Sequence, residues 1–192
     1  MKKIPTMFVR DWNGDRSRVT REPNPACQWV FDGEGVATRK YDGACCMVRD
    51  GKLYKRRELG PKQSAPADFF MVDHDEETGK TVGWVPVGDG PEDRWFREAF
   101  NDLAEGTYEL LGPKVQGNVE RLERHVLQAH SAAERYHDVP RTFDGLREWL
   151  HDRDIEGLVF HHPEGRMAKI KLRDFGMKRG GSSKPAATEA PR

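Results

Sequence analysis

Two lysine motifs near opposite ends of the chain have the residue types to bind or attack an anion. The first is Lys40-Tyr41-Asp42-Gly43, and the second places Lys169 and Lys171 in a predicted strand. Since successive strand side chains alternate between faces, these two lysines share one face, and Ala168, Ile170 and Leu172 share the other. Adjacent lysines on a sheet repel each other, and an anion between them removes the conflict. Taken singly, the motifs also fit a surface turn and a solvated basic strand.

Two glutamates stand in strand-like segments between these motifs. Glu109 lies within Thr107-Tyr108-Glu109-Leu110-Leu111, on the face opposite Tyr108 and Leu110. Glu156 opens the apolar run Gly157-Leu158-Val159-Phe160. A carboxylate at the mouth of a buried strand has to be paired, hydrogen-bonded or bound to a cation. Each glutamate is therefore a candidate metal or nucleotide contact, with an ordinary salt bridge as the alternative.

The order of these motifs resembles that of the covalent nucleotidyltransferases, which comprise ATP-dependent DNA ligases, RNA ligases and mRNA capping enzymes. The order is Lys-x-Asp-Gly, a basic hairpin, Tyr-Glu-Leu-Leu-Gly, Glu-Gly-Leu-Val-Phe and Lys-x-Lys. The long third motif, residues 108–118, resembles that of the small RNA ligase family, which joins a 5′-phosphate to a 3′-hydroxyl. The resemblance spans about Val36 to Leu172.

The resemblance implies that Lys40 is the catalytic nucleophile, which takes AMP from ATP and releases pyrophosphate. A lysine is protonated at neutral pH and cannot attack phosphorus, so its pKa has to be lowered by burial or by neighbouring cations. By the same resemblance, Lys169 and Lys171 supply these cations. They also neutralise the α-phosphate, so both are expected to be catalytic residues and to bind the nucleotide.

The resemblance also implies a metal site. Glu156 is expected to hold Mg²⁺, with Mn²⁺ as a substitute, either directly or through water, because these hard cations take oxygen ligands. Glu109 is expected to contact either the ribose of the nucleotide or a metal-bound water, and the sequence leaves both roles open.

The remaining nucleotide contacts are expected from three places in the chain. The hairpin arm Tyr54-Lys55-Arg56-Arg57 is predicted to supply Arg57, although a slip of one residue would substitute Arg56. The family often stacks an aromatic side chain on adenine from the strand at residues 125–130, which here has no Phe, Tyr or Trp. Val159 or a histidine is predicted to take its place, and the backbone near Thr38 to bind the adenine amine.

Together these expectations predict an ATP-dependent RNA ligase that seals RNA 5′-phosphate and 3′-hydroxyl ends through lysyl-AMP and adenylylated RNA, in RNA repair. A DNA ligase or a capping guanylyltransferase is the first alternative. Those enzymes usually carry an OB domain after Lys-x-Lys, and none is expected in the roughly twenty residues that follow Lys171. The second alternative is a non-catalytic RNA-binding module.

Composition limits the class of protein further. The 192 residues contain 32 Lys plus Arg and 32 Asp plus Glu, which excludes a polycation that binds nucleic acid by bulk charge. No apolar run approaches the length of a membrane helix, so the expected location is the cytoplasm, or the host cytoplasm if the protein is phage-encoded. The spacing of Cys27, Cys45 and Cys46 predicts neither a disulfide framework nor a zinc knuckle. Cys45 and Cys46, which follow the Lys40 motif, are interpreted as small core residues.

The elements that position these residues are mostly predicted hairpins. Asp50-Gly51 joins the clearest hairpin, a second pairs residues 69–73 with 81–87, and the last pairs residues 157–162 with 166–172. A helix is predicted from Pro91, with Trp95, Ala99 and Leu103 on one stripe, and another after an N-cap at Thr142. The predicted fold is α+β: an antiparallel-sheet, ATP-grasp-like nucleotidyltransferase domain over residues 1–177, followed by a flexible tail over residues 178–192.

Overall fold

The structure, a computed structural model, describes residues 1–76 and 78–179. Its strands, numbered along the chain, are β1 (Phe8–Arg10), β2 (Val19–Pro23), β3 (Val36–Lys40), β4 (Ala44–Arg49), β5 (Lys52–Leu59), β6 (Phe70–Asp75), β7 (Lys80–Pro86), β8 (Gly106–Leu111), β9 (Val126–Ala129), β10 (Arg135–Tyr136), β11 (Gly157–His161) and β12 (Met167–Lys171). The α-helices are α1 (Gln28–Phe31), α2 (Arg94–Ala99) and α3 (Phe143–His151). Short 3₁₀ turns lie at Pro25–Cys27, Pro91–Asp93, Gln116–Asn118, His130–Ala132 and Leu172–Phe175. All the strand pairs of the three sheets are antiparallel, so the predicted α+β class is confirmed.

The chain divides into two compact units. The first consists of Met1–Ile4 and Tyr41–Glu134, and the second of Pro5–Lys40 and the chain from Arg135 onward. Of the predicted tail, the structure describes Lys178 and Arg179, and the Arg179 guanidinium donates to the Asp154 carboxylate at 2.9 Å. Residues 180–192 lie outside the described residues.

The first unit contains a six-stranded sheet in the order β6-β7-β5-β4-β8-β9. The predicted hairpin at Asp50-Gly51 is confirmed, because β4 and β5 pair there and both turn residues have positive φ angles of 52° and 67°. One face of the sheet packs on α2 through a core that includes Cys46, Val48, Leu53, Tyr108, Leu110, Phe96 and Ala99. The opposite face carries the side chains that alternate with these, including Cys45 and Glu109.

The second unit contains a four-stranded sheet in the order β10-β3-β11-β12 and the ribbon β1-β2. One face of the four-stranded sheet, with Ala37, Leu158, Phe160, Ala168 and Ile170, packs into a core that includes Leu146 and Leu150 of α3. Helix α3 begins at the predicted cap, where the Thr142 hydroxyl accepts from the Gly145 amide. The other face carries the side chains that alternate with these core residues along each strand, among them Lys40, Lys169 and Lys171.

Helix α2 is shorter than predicted. It ends at Ala99, because Phe100 has extended backbone angles, and Leu103 therefore lies beyond the helix. The apolar spacing that suggested a longer helix reflects packing on the sheet, since Phe100 and Leu103 still contact the same core. Among the described residues, no helix has both the length and the apolar character required to span a bilayer.

Candidate active site

Three neighbouring strands of the second unit bring both lysine motifs together. Gly157 of β11 pairs with Lys40 of β3 on one side and with Lys171 of β12 on the other. Two residues along, Val159 pairs with Thr38 and with Lys169. Because residues two apart share a face, Thr38, Lys40, Val159, Lys169 and Lys171 all belong to the sheet face opposite the core. The shared face predicted for the two lysines of β12 is thus the observed one.

The Glu156 carboxylate lies between two of these lysines. The Lys40 ammonium donates to Glu156 Oε2 at 2.5 Å, and the Lys171 ammonium donates to Glu156 Oε1 at 2.5 Å. The side chains are mostly buried, with 20% of Lys40, 14% of Lys171 and 12% of Glu156 exposed. Lys40, Glu156 and Lys171 are called the lysine–glutamate cluster below.

The charge state of Glu156 follows from this arrangement. Burial opposes its ionisation, but the positive charges of Lys40 and Lys171 and their hydrogen bonds outweigh burial, so the pKa of Glu156 is lowered. Lys40 therefore contacts a carboxylate, whereas the only charged neighbours predicted for it from the sequence are the two lysines of β12.

Buried backbone contacts fix the strand that carries Lys169 and Lys171. The Lys169 amide donates to Pro5 O and its carbonyl accepts from the Met7 amide, both at 2.9 Å. The Lys171 amide donates at 2.8 Å to the Asp174 carboxylate, which is 1% exposed and also accepts from Arg10. Asp174 therefore holds the backbone of Lys171 while its side chain reaches Glu156.

The expected adenine contacts lie on the same sheet face. Thr38 and Val159 are buried, and the Thr38 hydroxyl lies 3.2 Å from the Val159 carbonyl and 3.0 Å from His161 Nε2. The adjacent His162 instead contacts Glu34 on the other side of the strand, so the two histidines do not form a chelating pair. His161 was not predicted as a site residue, although its position two residues after Val159 indicates the same face.

Gly157 permits the close approach of the strands that carry the cluster. A Cβ atom at this position would lie 2.2 Å from the carbonyl oxygen of Ile170 and 2.8 Å from Cα of Lys171. We expect Gly157→Ala to lower the free energy of unfolding by about 1–3 kcal/mol, because the backbone has to shift. Chemical denaturation measures this change.

Gly60→Ala is the matched control for this substitution, since the nearest atom to a Cβ there is 3.7 Å away. An equal effect of the two substitutions would contradict the role assigned to Gly157.

Glu109 belongs to the first unit, where it is buried on the sheet face opposite α2. Its Oε1 accepts from the Gly43 amide at 3.2 Å, and its Oε2 lies 3.0 Å from His130 Nε2. Gly43 is needed there, because a Cβ would lie 2.2 Å from the Leu110 carbonyl oxygen. The glycine of Lys-x-Asp-Gly therefore positions the third-motif glutamate, a link that the two motifs do not show in the sequence.

The strand register places Arg56, rather than the predicted Arg57, on the sheet face of Glu109. Lys55 pairs with Cys46, so Lys55 and Arg57 belong to the face that packs on α2, where Lys55 forms an ion pair with the buried Asp93. Arg57 is exposed at the end of this face. Arg56 belongs to the same face as Glu109 and is half-buried. Sequence alone cannot decide between them, since a slip of one residue exchanges the faces.

The amino-acid sequence is distantly similar to proteins named RNA ligase 1. No protein-family profile matches the chain. Proteins named RNA ligase 1 from Danio rerio, Rattus norvegicus and Mus musculus are each 23% identical to it, over 92% of this chain and 80–81% of their own length. The similarity extends over most of the chain and supports a distant relationship with RNA ligases.

Proposed function

We propose that this protein is an ATP-dependent RNA ligase that joins RNA 5′-phosphate and 3′-hydroxyl ends in RNA repair. The observation that carries the proposal is the lysine–glutamate cluster, with Lys169 on the same sheet face. A scaffold gains little from two lysines on one carboxylate and a third lysine on the same sheet face, whereas a reaction at a phosphate uses all of them. The relatives named RNA ligase 1 favour RNA over the alternative substrates.

Lys40 is the proposed nucleophile. Its amine attacks the α-phosphorus of ATP, a P–N bond forms, the bond to pyrophosphate breaks, and the amine gives up its protons. Glu156 accepts a hydrogen bond from the Lys40 side chain at 2.5 Å, so it orients Lys40. AMP then passes to the RNA 5′-phosphate, and attack by the 3′-hydroxyl seals the ends and releases AMP.

Lys169 and Lys171 are proposed to bind the α-phosphate. Both lie on the face of Lys40, and Lys171 is already desolvated beside Glu156. Positive charge in a partly dehydrated site acts more strongly on developing negative charge than it would in water.

Glu156 is the proposed ligand for Mg²⁺ or Mn²⁺. Mg²⁺ in such enzymes is held by one or two carboxylates together with substrate phosphates, which fits a single carboxylate beside a phosphate-binding lysine pair. When bound, the cation would neutralise charge on the triphosphate. Glu156 then has to release Lys40, so the residue that binds metal is also the residue that restrains the nucleophile.

The base and ribose contacts are proposed for five residues. Thr38 and Val159 are assigned to adenine, with His161 as a further contact, because they share the face of Lys40. By the family resemblance, Arg56 is assigned to the ribose, and Glu109 to the ribose or to a metal-bound water.

The test of the proposed function is a labelling and sealing experiment. The protein is incubated with Mg²⁺ and α-labelled ATP or GTP, separated on a denaturing gel, and then assayed on nicked and single-stranded RNA and DNA. We expect label from ATP and sealing of RNA. Label from GTP would favour a capping enzyme, sealing confined to DNA would favour a DNA ligase, and no label would favour a non-catalytic RNA-binding protein.

The two lysines of β12 carry a separate prediction. We expect Lys169→Ala and Lys171→Ala each to slow the transfer of AMP to Lys40 by ~10²–10³-fold, as does loss of one donor from a preorganised site. The pH profile should move to higher pH, because Lys40 has lost a cation that disfavours its protonated form. Lys169→Arg and Lys171→Arg should restore little of the rate of AMP transfer, since lysine and arginine differ in shape and donor geometry.

Single-turnover adduct formation, measured against pH, checks this prediction. Profiles of both alanine variants that overlay the wild type would place the two lysines outside the nucleotide site.

A further inference from the structure

A thiol, a carboxylate and an imidazole come together on one face of the six-stranded sheet. One ligand atom from each of Cys45, Glu109 and His130 lies within 4.8 Å of the others, and all three residues belong to the first unit. The roles proposed above use neither Cys45 nor His130. We propose that these three residues form a binding site for a borderline-soft divalent cation of the Zn²⁺ type, and we call them the cysteine–glutamate–histidine cluster.

The strand register explains why the three meet. Cys45 of β4 pairs directly with Glu109 of β8, and Glu109 pairs with Gln128 of β9. His130 follows two residues after Gln128, which returns its side chain to the same face. The adjacent Cys46 points into the core, where burial raises the pKa of its thiol. Only one of the neighbouring cysteines is therefore a core residue, and the other is half-buried beside two further ligands.

The donor set selects the class of cation. Zn²⁺ takes sulfur, nitrogen and carboxylate oxygen together, whereas Mg²⁺ demands oxygen ligands in octahedral geometry. His130 Nε2 and Glu109 Oε2 lie 3.0 Å apart, close to the roughly 3.4 Å between two ligands of a tetrahedral Zn²⁺ with bonds of about 2.0–2.1 Å. Three protein ligands leave a fourth position for water or a substrate group.

Surrounding groups hold His130 and Glu109 in an orientation suitable for binding a metal. His130 Nδ1 lies 2.9 Å from the Thr107 hydroxyl, so an Nδ1–H can donate to Thr107 and leave the Nε2 lone pair for a metal. The Gly43 amide donates to Glu109 Oε1, which turns Oε2 toward His130. Such outer contacts are a regular part of zinc sites and fix the tautomer of the ligating histidine.

Occupancy of this site has a consequence for activity that rests on the proposed function. Zn²⁺ bound to Glu109 would withdraw its carboxylate from the nucleotide ribose, so Zn²⁺ is expected to inhibit uptake of AMP in the presence of saturating Mg²⁺. Binding of the metal itself does not depend on the protein being a ligase. The two outcomes can therefore be separated by measuring metal binding in the absence of nucleotide.

The experiment titrates the full chain with Zn²⁺ against a chromogenic chelator, and with Co²⁺ as a spectroscopic probe. We expect one equivalent to bind, a near-ultraviolet band from thiolate ligation of Co²⁺, no displacement by excess Mg²⁺, and weaker binding at lower pH because the thiol has to lose its proton. Cys45→Ser should abolish the thiolate band. His130→Ala should weaken Zn²⁺ binding by more than about tenfold, because losing even a group that only orients a ligand costs about tenfold in metal affinity. Thr107→Val should weaken it by about 10- to 100-fold.

Cys27→Ala and His74→Ala are matched controls. Cys27 is buried in the other unit, and His74 contacts Thr81 on an outer strand of the same sheet, so both variants should bind Zn²⁺ like the wild type. Circular dichroism checks that each variant is folded, and Thr107→Val tests the site if the cysteine variant is not. Co²⁺ spectra without a thiolate band, or unchanged Zn²⁺ affinity in the folded Cys45, His130 and Thr107 variants, would overturn the proposal.

Discussion

Lys40→Ala is expected to form no covalent adduct when the folded protein is incubated with Mg²⁺ and labelled ATP. The alanine has no nucleophile, and the role proposed for Lys169 and Lys171 is to bind the α-phosphate rather than to attack it. Lys40→Arg should fail equally, although it keeps a positive charge beside Glu156, because a guanidinium does not lose its proton near neutral pH. Denaturing gels and intact-protein mass spectrometry measure the adduct, which adds one AMP to the wild type.

Lys52→Ala is a suitable control for these variants, since Lys52 is exposed at the start of β5 and lies in the other unit. It should label like the wild type. An adduct that persists in Lys40→Ala, mapped by peptide mass spectrometry to another residue, would assign the nucleophile elsewhere. The arginine variant separates chemistry from stability, because it can retain the ion pair that the alanine variant loses.

Local patterns were sufficient to predict several parts of the fold. The Asp50-Gly51 turn, the Thr142 cap and the alternation of Lys169 with Ile170 each depend on a few adjacent residues, and all three are found in the structure. The α+β class of the fold could be predicted from the same patterns, since hairpins imply antiparallel sheets.

Features set by contacts between distant residues could not be predicted in the same way. Whether Arg56 or Arg57 belongs to the face of Glu109 depends on the pairing of Lys55 with Cys46, which no local pattern specifies. Strand β3 carries Lys40, yet its sequence has no clear alternation, and it is defined by its pairing with β11. The end of α2 at Ala99 is likewise decided by packing rather than by apolar spacing.

The structure brings Lys40, Glu156 and Lys171 together, but the balance of charge among them was not predicted. The sequence places Glu156 before a buried strand, and only the three-strand arrangement puts its carboxylate between Lys40 and Lys171. The cysteine–glutamate–histidine cluster was not predicted, because Cys45, Glu109 and His130 are far apart in the sequence and meet only through the pairing of β8 with β4 and with β9.

Glu156→Gln is expected to impair both activity and stability. A neutral amide cannot balance Lys40 and Lys171, so two mostly buried cations are left without their anion, and we expect a loss of about 1–3 kcal/mol at neutral pH. Loss of the carboxylate should also lower the apparent Mg²⁺ affinity or the rate of AMP transfer by at least about 10- to 100-fold. This is the cost of losing a residue that only orients a metal ligand, and a direct ligand should matter no less. Urea denaturation and Mg²⁺ titration of adduct formation measure the two effects.

The stability effect has a defined dependence on pH. Because the pKa of Glu156 is lowered in the folded protein, its contribution is fully present above the ordinary glutamate value and disappears as the pH falls through the lowered folded value. The difference in stability between wild type and Glu156→Gln should therefore shrink in acid. Glu58→Gln is the control, since the pair of Glu58 with Lys80 is 42% and 47% exposed and its loss should cost at most about 1 kcal/mol. A loss of stability for Glu156→Gln no larger than that for Glu58→Gln at neutral pH would reduce Glu156 to the contribution of a surface ion pair. It would also remove the restraint that we assign to Glu156 on Lys40.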